Sequence, residues 1–483
     1  MSKKKSLKLN VIMNAILNMS AFVFPLITFP YVSRVLGPAG NGKVAFATSL
    51  IDYFLIIAQL GIPTYGVRAC AKVRDDRRLL SKTVHELLVI NVSMMLVAYA
   101  ALAGALIFVP RLHEERILYI VCSATIFFTS IGMEWLYKAL EQYTYITVRS
   151  IVFKLISVIA MFFLVRSKEH YVIYGGITIM ASSASGLMNF VHARKYITMR
   201  PVGGYEFKPH LKAVAIFFAM SCASRIYTHL DTLLLGFMDT ETNVGYYSAA
   251  VRIKQILVSV VTSQGVVLLP RAAYYIKNKQ MDKFKEISRK SLGLTMLTAT
   301  PLILYFILFA RDGIYFISGE AYEGAVMPLK LIMPTLLFIG LSNVTGIQIL
   351  VPMGREKTVL YSIICGAVVD LVLNLMLIPQ YGAVGAAAAA SIVECAVLVF
   401  QIVALWDLIK PLLSKIQYWK ILLALGAGAA ASFWVISLPL GSFLTLVCST
   451  CLFFGAYGVV LLVLKEELVT DVLGQLIKKF LKK

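Results

Sequence analysis

Residues 35–47 read VLGPAGNGKVAFA and residues 234–250 read LLGFMDTETNVGYYSAA. Each stretch closes one long apolar run and opens the next. Val35-Leu36-Gly37, Gly42 and Ala45-Phe46-Ala47 in the first are echoed by Leu234-Leu235-Gly236, Gly245 and Ser248-Ala249-Ala250 in the second. A second echo sets residues 141–165 against 355–379 without a gap, after which Tyr171 and Gly175 match Tyr381 and Gly385. Two echoes in the same order point to an internal duplication.

Around these turns the chain reads as apolar runs long enough to cross a bilayer, which takes about 20 residues each. They fall at residues 10–33, 44–63, 84–109, 116–137, 148–165, 171–192 and 211–237, then at 244–270, 291–310, 325–352, 358–379, 382–404, 419–438 and 441–464. The narrowest breaks are at Gln380-Tyr381 and at Pro439 to Gly441. The expected fold is an all-α membrane protein of fourteen transmembrane helices. Residues 1–205 and 206–410 form two six-helix lobes, and residues 411–483 add two further helices and a basic tail. Six spans is an even number, so the repeats are parallel, and a central cavity between them is the default substrate site.

Composition agrees. Of 483 residues, 59% are hydrophobic and 15% charged, with a mean hydropathy of +0.80, which leaves no polar coat for a soluble protein of two or three domains. The formal net charge of +21 is explained mostly by position. With the N-terminus inside, 34 of the 46 Lys and Arg residues fall on inner segments, 7 on outer segments and 5 within spans. That asymmetry predicts both termini in the cytoplasm. The lysine-rich start leads into an apolar run too long for a secretory signal and without a small-residue cleavage site, so it reads as a retained span. Residues 276–290 and 468–483 are spaced as basic amphipathic helices for an anionic membrane surface. No basic segment is long enough to form a nucleic-acid-binding domain.

Chemistry-bearing motifs are sparse. The chain has no P-loop, no Gly-x-Ser-x-Gly and no His-Glu-x-x-His, and so no evident means of using ATP. Its seven cysteines lie mostly within spans. Cys448 and Cys451 have Cys-x-x-Cys spacing without a second pair or a histidine nearby, so no disulfide framework, metal site or cofactor is expected.

Residues 25–42, PLITFPYVSRVLGPAGNG, resemble the first-span signature of Wzx-type polysaccharide flippases. Gln59-Leu60-Gly61-Ile62 with Tyr65-Gly66-Val67-Arg68 is similar to its continuation. Asp231, Leu234-Leu235-Gly236 and Gly245 to Ala250 resemble the seventh and eighth spans of the same family. The resemblance covers both halves and implies membership of the superfamily of multidrug, oligosaccharidyl-lipid and polysaccharide exporters. It further implies a bacterial inner-membrane protein that moves undecaprenyl-pyrophosphate-linked oligosaccharide to the outer leaflet by alternating access for surface polysaccharide assembly. Polysaccharide polymerase and assembly proteins would be its partners.

Ionisable groups inside spans are costly and mark function by default. Arg225 and His229 lie four apart on one face of the seventh span, and Arg252 lies two turns into the eighth. A guanidinium offers a fork of donors matched to phosphate oxygens, so Arg225 and Arg252 are candidates for pyrophosphate binding, with His229 beside them. Lys254 points about 200° from Arg252 on a helix and is the weaker candidate. The competing reading is an intramembrane ion pair of either arginine with Asp231. Asp52 and Asp231 are candidates for coupling or switching, with H+ or Na+ as counter-ion, or for fixed ion pairs. Asp370 and Glu394 suit helix-to-helix hydrogen bonding. Glu134 and Lys154 suit the cytoplasmic interface and Lys330 the outer one.

The first span, residues 10–33, has no acidic residue, which favours an anionic substrate over a cationic drug. Rival expectations are a flippase of the peptidoglycan-precursor lipid, a cation-coupled multidrug exporter of the same superfamily and a membrane glycosyltransferase or polymerase. The last would usually carry a large extramembrane loop, whereas the longest here are about 20 residues, shorter than any enzymatic domain.

Overall fold

The computed structural model describes residues 7–470, and every regular element among them is helical. Packing divides the chain into two compact units, Met1–Gly245 and Tyr246–Lys483.

The first unit contains α1 (Leu7–Gln59), α2 (Ile62–Lys72), α3 (Arg77–Phe108), α4 (Arg116–Ile131), α5 (Glu134–Ala139), α6 (Tyr143–Leu164), α7 (Tyr171–Ile179), α8 (Gly186–Ala193) and α9 (Lys208–Met238). The second contains most of α10 (Glu241–Lys277), then α11 (Met281–Leu308), α12 (Ala310–Ser318), α13 (Val326–Ile332), α14 (Thr335–Ser342), α15 (Glu356–Ala404), α16 (Trp406–Leu413), α17 (Tyr418–Phe433) and α18 (Ser442–Val463).

Among the described residues nine helical runs are long and apolar enough to cross a membrane, and eleven if each of two bent pairs is one span. Two of the nine, Leu9–Lys72 and Glu356–Ala404, hold 64 and 49 residues, far more than a bilayer needs. The first breaks at Gly37 (φ 68°, ψ −179°) and the second at Gly382 (φ 53°, ψ −128°), backbone conformations that a side chain disfavours. Dividing each at its glycine and adding α9 gives the fourteen spans expected from the sequence.

The two turns at residues 37–42 and 239–245 meet inside the first unit. A Cβ on Gly42 would lie 1.7 Å from the Glu241 carbonyl oxygen, and one on Gly245 would lie 2.0 Å from the Pro38 carbonyl oxygen. Gly42 and Gly245 are the two glycines that the sequence echo sets against each other. The two turns thus pack backbone against backbone at both glycines. Close packing here helps keep α9 and the turn after it in the first unit, whereas the sequence reading expected a second lobe from residue 206.

α1 and α6 run in parallel with a constant offset of 134 residues. Thr147 donates to the Met13 carbonyl (2.9 Å), Lys154 to Ser20 Oγ (2.8 Å) and Tyr31 to the Val165 carbonyl (2.8 Å). Lys154, expected at the interface, is instead held to α1. Nearer the ends of α2, α3, α5 and α6, Ile62, Val84, Leu87, Leu136, Tyr137 and Ile146 form a fully buried cluster. Asp76 caps α3 by accepting from the amides of Arg78 (2.8 Å) and Leu79 (3.0 Å).

In the second unit, α18 docks on α11 through tyrosine hydroxyls. Tyr305 contacts Ser449 Oγ (3.0 Å), the Leu446 carbonyl (3.1 Å) and Thr450 Oγ1 (2.8 Å), and Tyr457 donates to the Leu297 carbonyl (2.9 Å). Residues 276–290, expected as a surface-lying amphipathic helix, are the end of α10 and the first turns of α11. Phe284 and Ser288 are buried there, because that face packs against the unit's own core. The tail reading over residues 468–483 falls largely outside the described residues. Its start is tied back by a bidentate pair of Arg289 with Glu467 (2.9 and 2.7 Å).

Candidate functional site

α9 carries three of the sequence-nominated residues, and the first unit holds it at both ends. At its start, His210 Nε2 lies 2.8 Å from Glu86 Oε2 and its Nδ1 2.8 Å from the Tyr65 hydroxyl. The Glu206 amide donates to the other Glu86 oxygen (2.7 Å). Glu86 is only 3% exposed, so this is a buried carboxylate with its acceptors in use. At the far end, Arg111 donates to the Gly236 carbonyl (3.3 Å), the Asp239 carbonyl (3.2 Å) and Glu241 Oε1 (2.8 Å). A cation at a helix C-terminus is favoured by the exposed carbonyls there. Lys43 pairs with Glu115 and sits 4.8 Å above the Tyr171 ring.

Between these anchors the structure brings together Asp52 and His229, with His229 Nε2 3.8 Å from Asp52 Oδ2. The sequence had assigned one to coupling and the other to substrate. Asp52 also lines a partly open cavity of about 360 Å³ bordered by α1, α4, α7 and the turn after α7. Thr48, Asp52 and Leu55 line it from α1, Cys122, Thr125 and Thr129 from α4, and Thr178, Ser182 and Ser183 from the third wall. The first two sets recur at helical spacing, so each helix offers one face. Residues Met180–Ala184 form a π-helical turn, a geometry frequent at functional sites.

Asp231 is half-buried on α9. Arg252 and Lys254 are half-buried on α10 in the second unit, two residues apart. The side chain of Arg225 lies outside the described residues. Asp370 is buried and accepts from Asn374 Nδ2 (2.8 Å) one turn along the same helix. Glu134 pairs with Lys138 (2.8 Å) and approaches Arg149 (3.8 Å). Among the described residues no three His, Cys, Asp or Glu side chains gather as a metal site.

Sequence reasoning missed Glu86 and the hydroxyls around Asp52. Glu86 sits inside the expected span at residues 84–109, and its position there was the available signal. The hydroxyls carried none, because Ser and Thr are common in membrane helices and face a cavity only once helices are packed.

Comparison with known proteins places this arrangement. The family model for polysaccharide biosynthesis proteins matches residues 7–275, and the MatE model matches residues 216–376. A curated relative titled "Putative O-antigen transporter", from Escherichia coli (strain K12), is 24% identical over 398 residues, covering 82% of this chain and 96% of that protein. Among solved structures, the lipid II flippase MurJ in an inward closed conformation aligns with a TM-score of 0.72 at 15% identity, covering 95% of this chain and all of that one. An inward-facing multidrug resistance transporter of the MATE family aligns with a TM-score of 0.64 at 12% identity, covering 83% of this chain and 99% of that one. Both structural likenesses concern the fold. The family match spans more than half of the sequence, and the chain belongs to the polysaccharide biosynthesis protein family, as a multi-pass membrane protein of the Wzx type within the multidrug, oligosaccharidyl-lipid and polysaccharide exporter superfamily.

Proposed function

We propose that the protein is a flippase that carries an undecaprenyl-pyrophosphate-linked oligosaccharide from the cytoplasmic to the outer leaflet of the bacterial inner membrane, for surface polysaccharide assembly. The observation that carries this reading is the family match together with the relative titled as an O-antigen transporter, matched over 96% of its length. Both termini lie in the cytoplasm in this reading, as the placement of basic residues favours.

The pyrophosphate meets the guanidinium groups of Arg225 and Arg252, with Lys254 and His229 as secondary contacts, because arginine offers paired donors to phosphate oxygens. Asp52 and Asp231 serve coupling to H+ or Na+. The division into 1–205, 206–410 and 411–483 describes two repeats and a two-helix appendage. Partners are the polysaccharide polymerase and assembly proteins, with anionic lipids around the basic inner segments. The nearest rival, a flippase of the peptidoglycan-precursor lipid, needs the same cationic groups and differs in the sugar it accepts.

Arg225→Ala and Arg252→Ala are the test. Each should lower glycan export at least ten-fold, about 1.4 kcal/mol of lost interaction, while the protein still inserts. Export by both variants at the wild-type rate rejects the phosphate role.

A further inference from the structure

We propose that Lys154 is a contact for the phosphate group of a polyprenyl-linked substrate, at a site on the seam between α1 and α6 of the first unit. α6 (Tyr143–Leu164) is a single candidate span of 22 residues, and Lys154 is the twelfth of them. At 1.5 Å per residue its Cα lies about 16 Å from either end, which is the middle of a bilayer. A cation at that depth costs more than a hydrogen bond to a neutral hydroxyl returns. Yet among the described residues its one hydrogen bond goes to Ser20 Oγ (2.8 Å), with the Phe24 ring centroid 5.8 Å away. No carboxylate among these residues pairs with it, and Glu134, which acts on it from a distance, is itself paired with Lys138 (2.8 Å).

An ammonium group carries three donors, and Ser20 takes one of them. Ser20 Oγ donates its own proton to the Leu17 carbonyl (2.6 Å), so it accepts from the lysine and adds no donor. Ser157, one turn further along α6, is 3% exposed, and its hydroxyl has no hydrogen-bond partner. The seam therefore holds one positive charge and unspent donors, the complement of phosphate oxygens. Its flank is apolar: Ile16, Val23 and Ile27 recur at helical spacing on the Ser20 face of α1, and all three are exposed. A phosphate attached to a long hydrocarbon suits such surroundings, whereas a free hydrated anion would lose its water without gaining apolar contact. The helical scaffold does not itself call for a cation here. In the gapless echo of residues 141–165 with 355–379, the counterpart of Lys154 is Val368. The identity of the lipid rests on the flippase reading, whereas the under-compensated charge at the seam stands without it.

The experiment is thermal unfolding of the purified full-length protein in detergent, with undecaprenyl pyrophosphate titrated in parallel with undecaprenol and with inorganic pyrophosphate. The expected result is a saturable rise in Tm with the lipid pyrophosphate alone. Its midpoint concentration should increase about ten-fold in Lys154→Met, return to within about two-fold of wild type in Lys154→Arg, and stay within about two-fold in Ser20→Ala. Ser20→Ala separates binding from tethering, since a lysine that merely ties α6 to α1 loses as much there as in Lys154→Met. Equal losses in those two variants, a wild-type Tm indifferent to the lipid, an unchanged midpoint in Lys154→Met, or an equal response to undecaprenol or inorganic pyrophosphate overturns the proposal. If Lys154→Met does not fold, Ser157→Ala decides the matter: a midpoint about three-fold higher is expected, and an unchanged one is contradictory. Glycan export in cells is scored separately. Lys154-dependent binding without export keeps the site and sinks the flippase reading, while export with binding indifferent to Lys154 does the reverse.

Discussion

Gly42 and Gly245 stand where any side chain would strike backbone, at 1.7 Å and 2.0 Å from a carbonyl oxygen. Backbone cannot swing aside as a flexible side chain can, so Gly42→Ala or Gly245→Ala should destabilise the protein by about 1–3 kcal/mol, the usual range for overpacking. Gly455, on α18, has nothing within 4 Å of its built Cβ. Gly455→Ala should be neutral or should stabilise by up to about 1 kcal/mol, through helix propensity. Denaturation midpoints of the purified variants check both, and equal effects at all three positions would contradict the contact. The two crowded glycines were legible in the sequence as matched positions of an echo, but their meeting was not, since it depends on how the turns pack. The hydroxyls around Asp52 were not legible, since what distinguishes them is which helix face meets a cavity.

Among elements, α9 shows most clearly what tertiary packing adds. Its apolar length was readable, but its anchors were not, because Glu86, Tyr65 and Arg111 come from other elements of the chain. Glu86→Gln keeps shape while removing the charge that accepts from His210 and the Glu206 amide. It should lower stability by about 1.5–3 kcal/mol, as for hydrogen bonds to charged groups, read from the same midpoints. On α11, Tyr305→Phe removes the hydroxyl that meets Ser449, Thr450 and the Leu446 carbonyl. A loss of about 0.6–1.7 kcal/mol is expected, with α17 and α18 becoming easier to proteolyse.

Basic residues at the start of α11 suggested a surface-lying helix because charge pattern alone does not distinguish an interfacial helix from the inner end of a span. The Arg289 hydrogen bond holds the Glu467 carboxyl below the usual carboxylate range. A depressed folded-state value means that this contribution is present above the ordinary carboxylate range and is lost as pH falls through the folded value. Docking of residues 466–468 should therefore loosen as pH falls through that lowered value, and Glu467→Gln should remove that acid-dependent step in protease protection.

At the scale of the molecule, the proposed orientation puts most of the basic residues behind the charge of +21 on inner segments and leaves five within spans to bear on a ligand. The fourteen-span architecture was legible because apolar length, basic-residue asymmetry and the echo converge on it. The packing boundary at Gly245 was not, because it depends on contacts that α9 and the turn after it make with elements distant in sequence.

Deleting the gene and extracting the undecaprenyl-linked glycans tests the central claim most directly. The account predicts accumulation of one complete lipid-linked oligosaccharide on the cytoplasmic face with loss of the corresponding surface glycan. An unchanged lipid-linked pool with an intact surface glycan would contradict it.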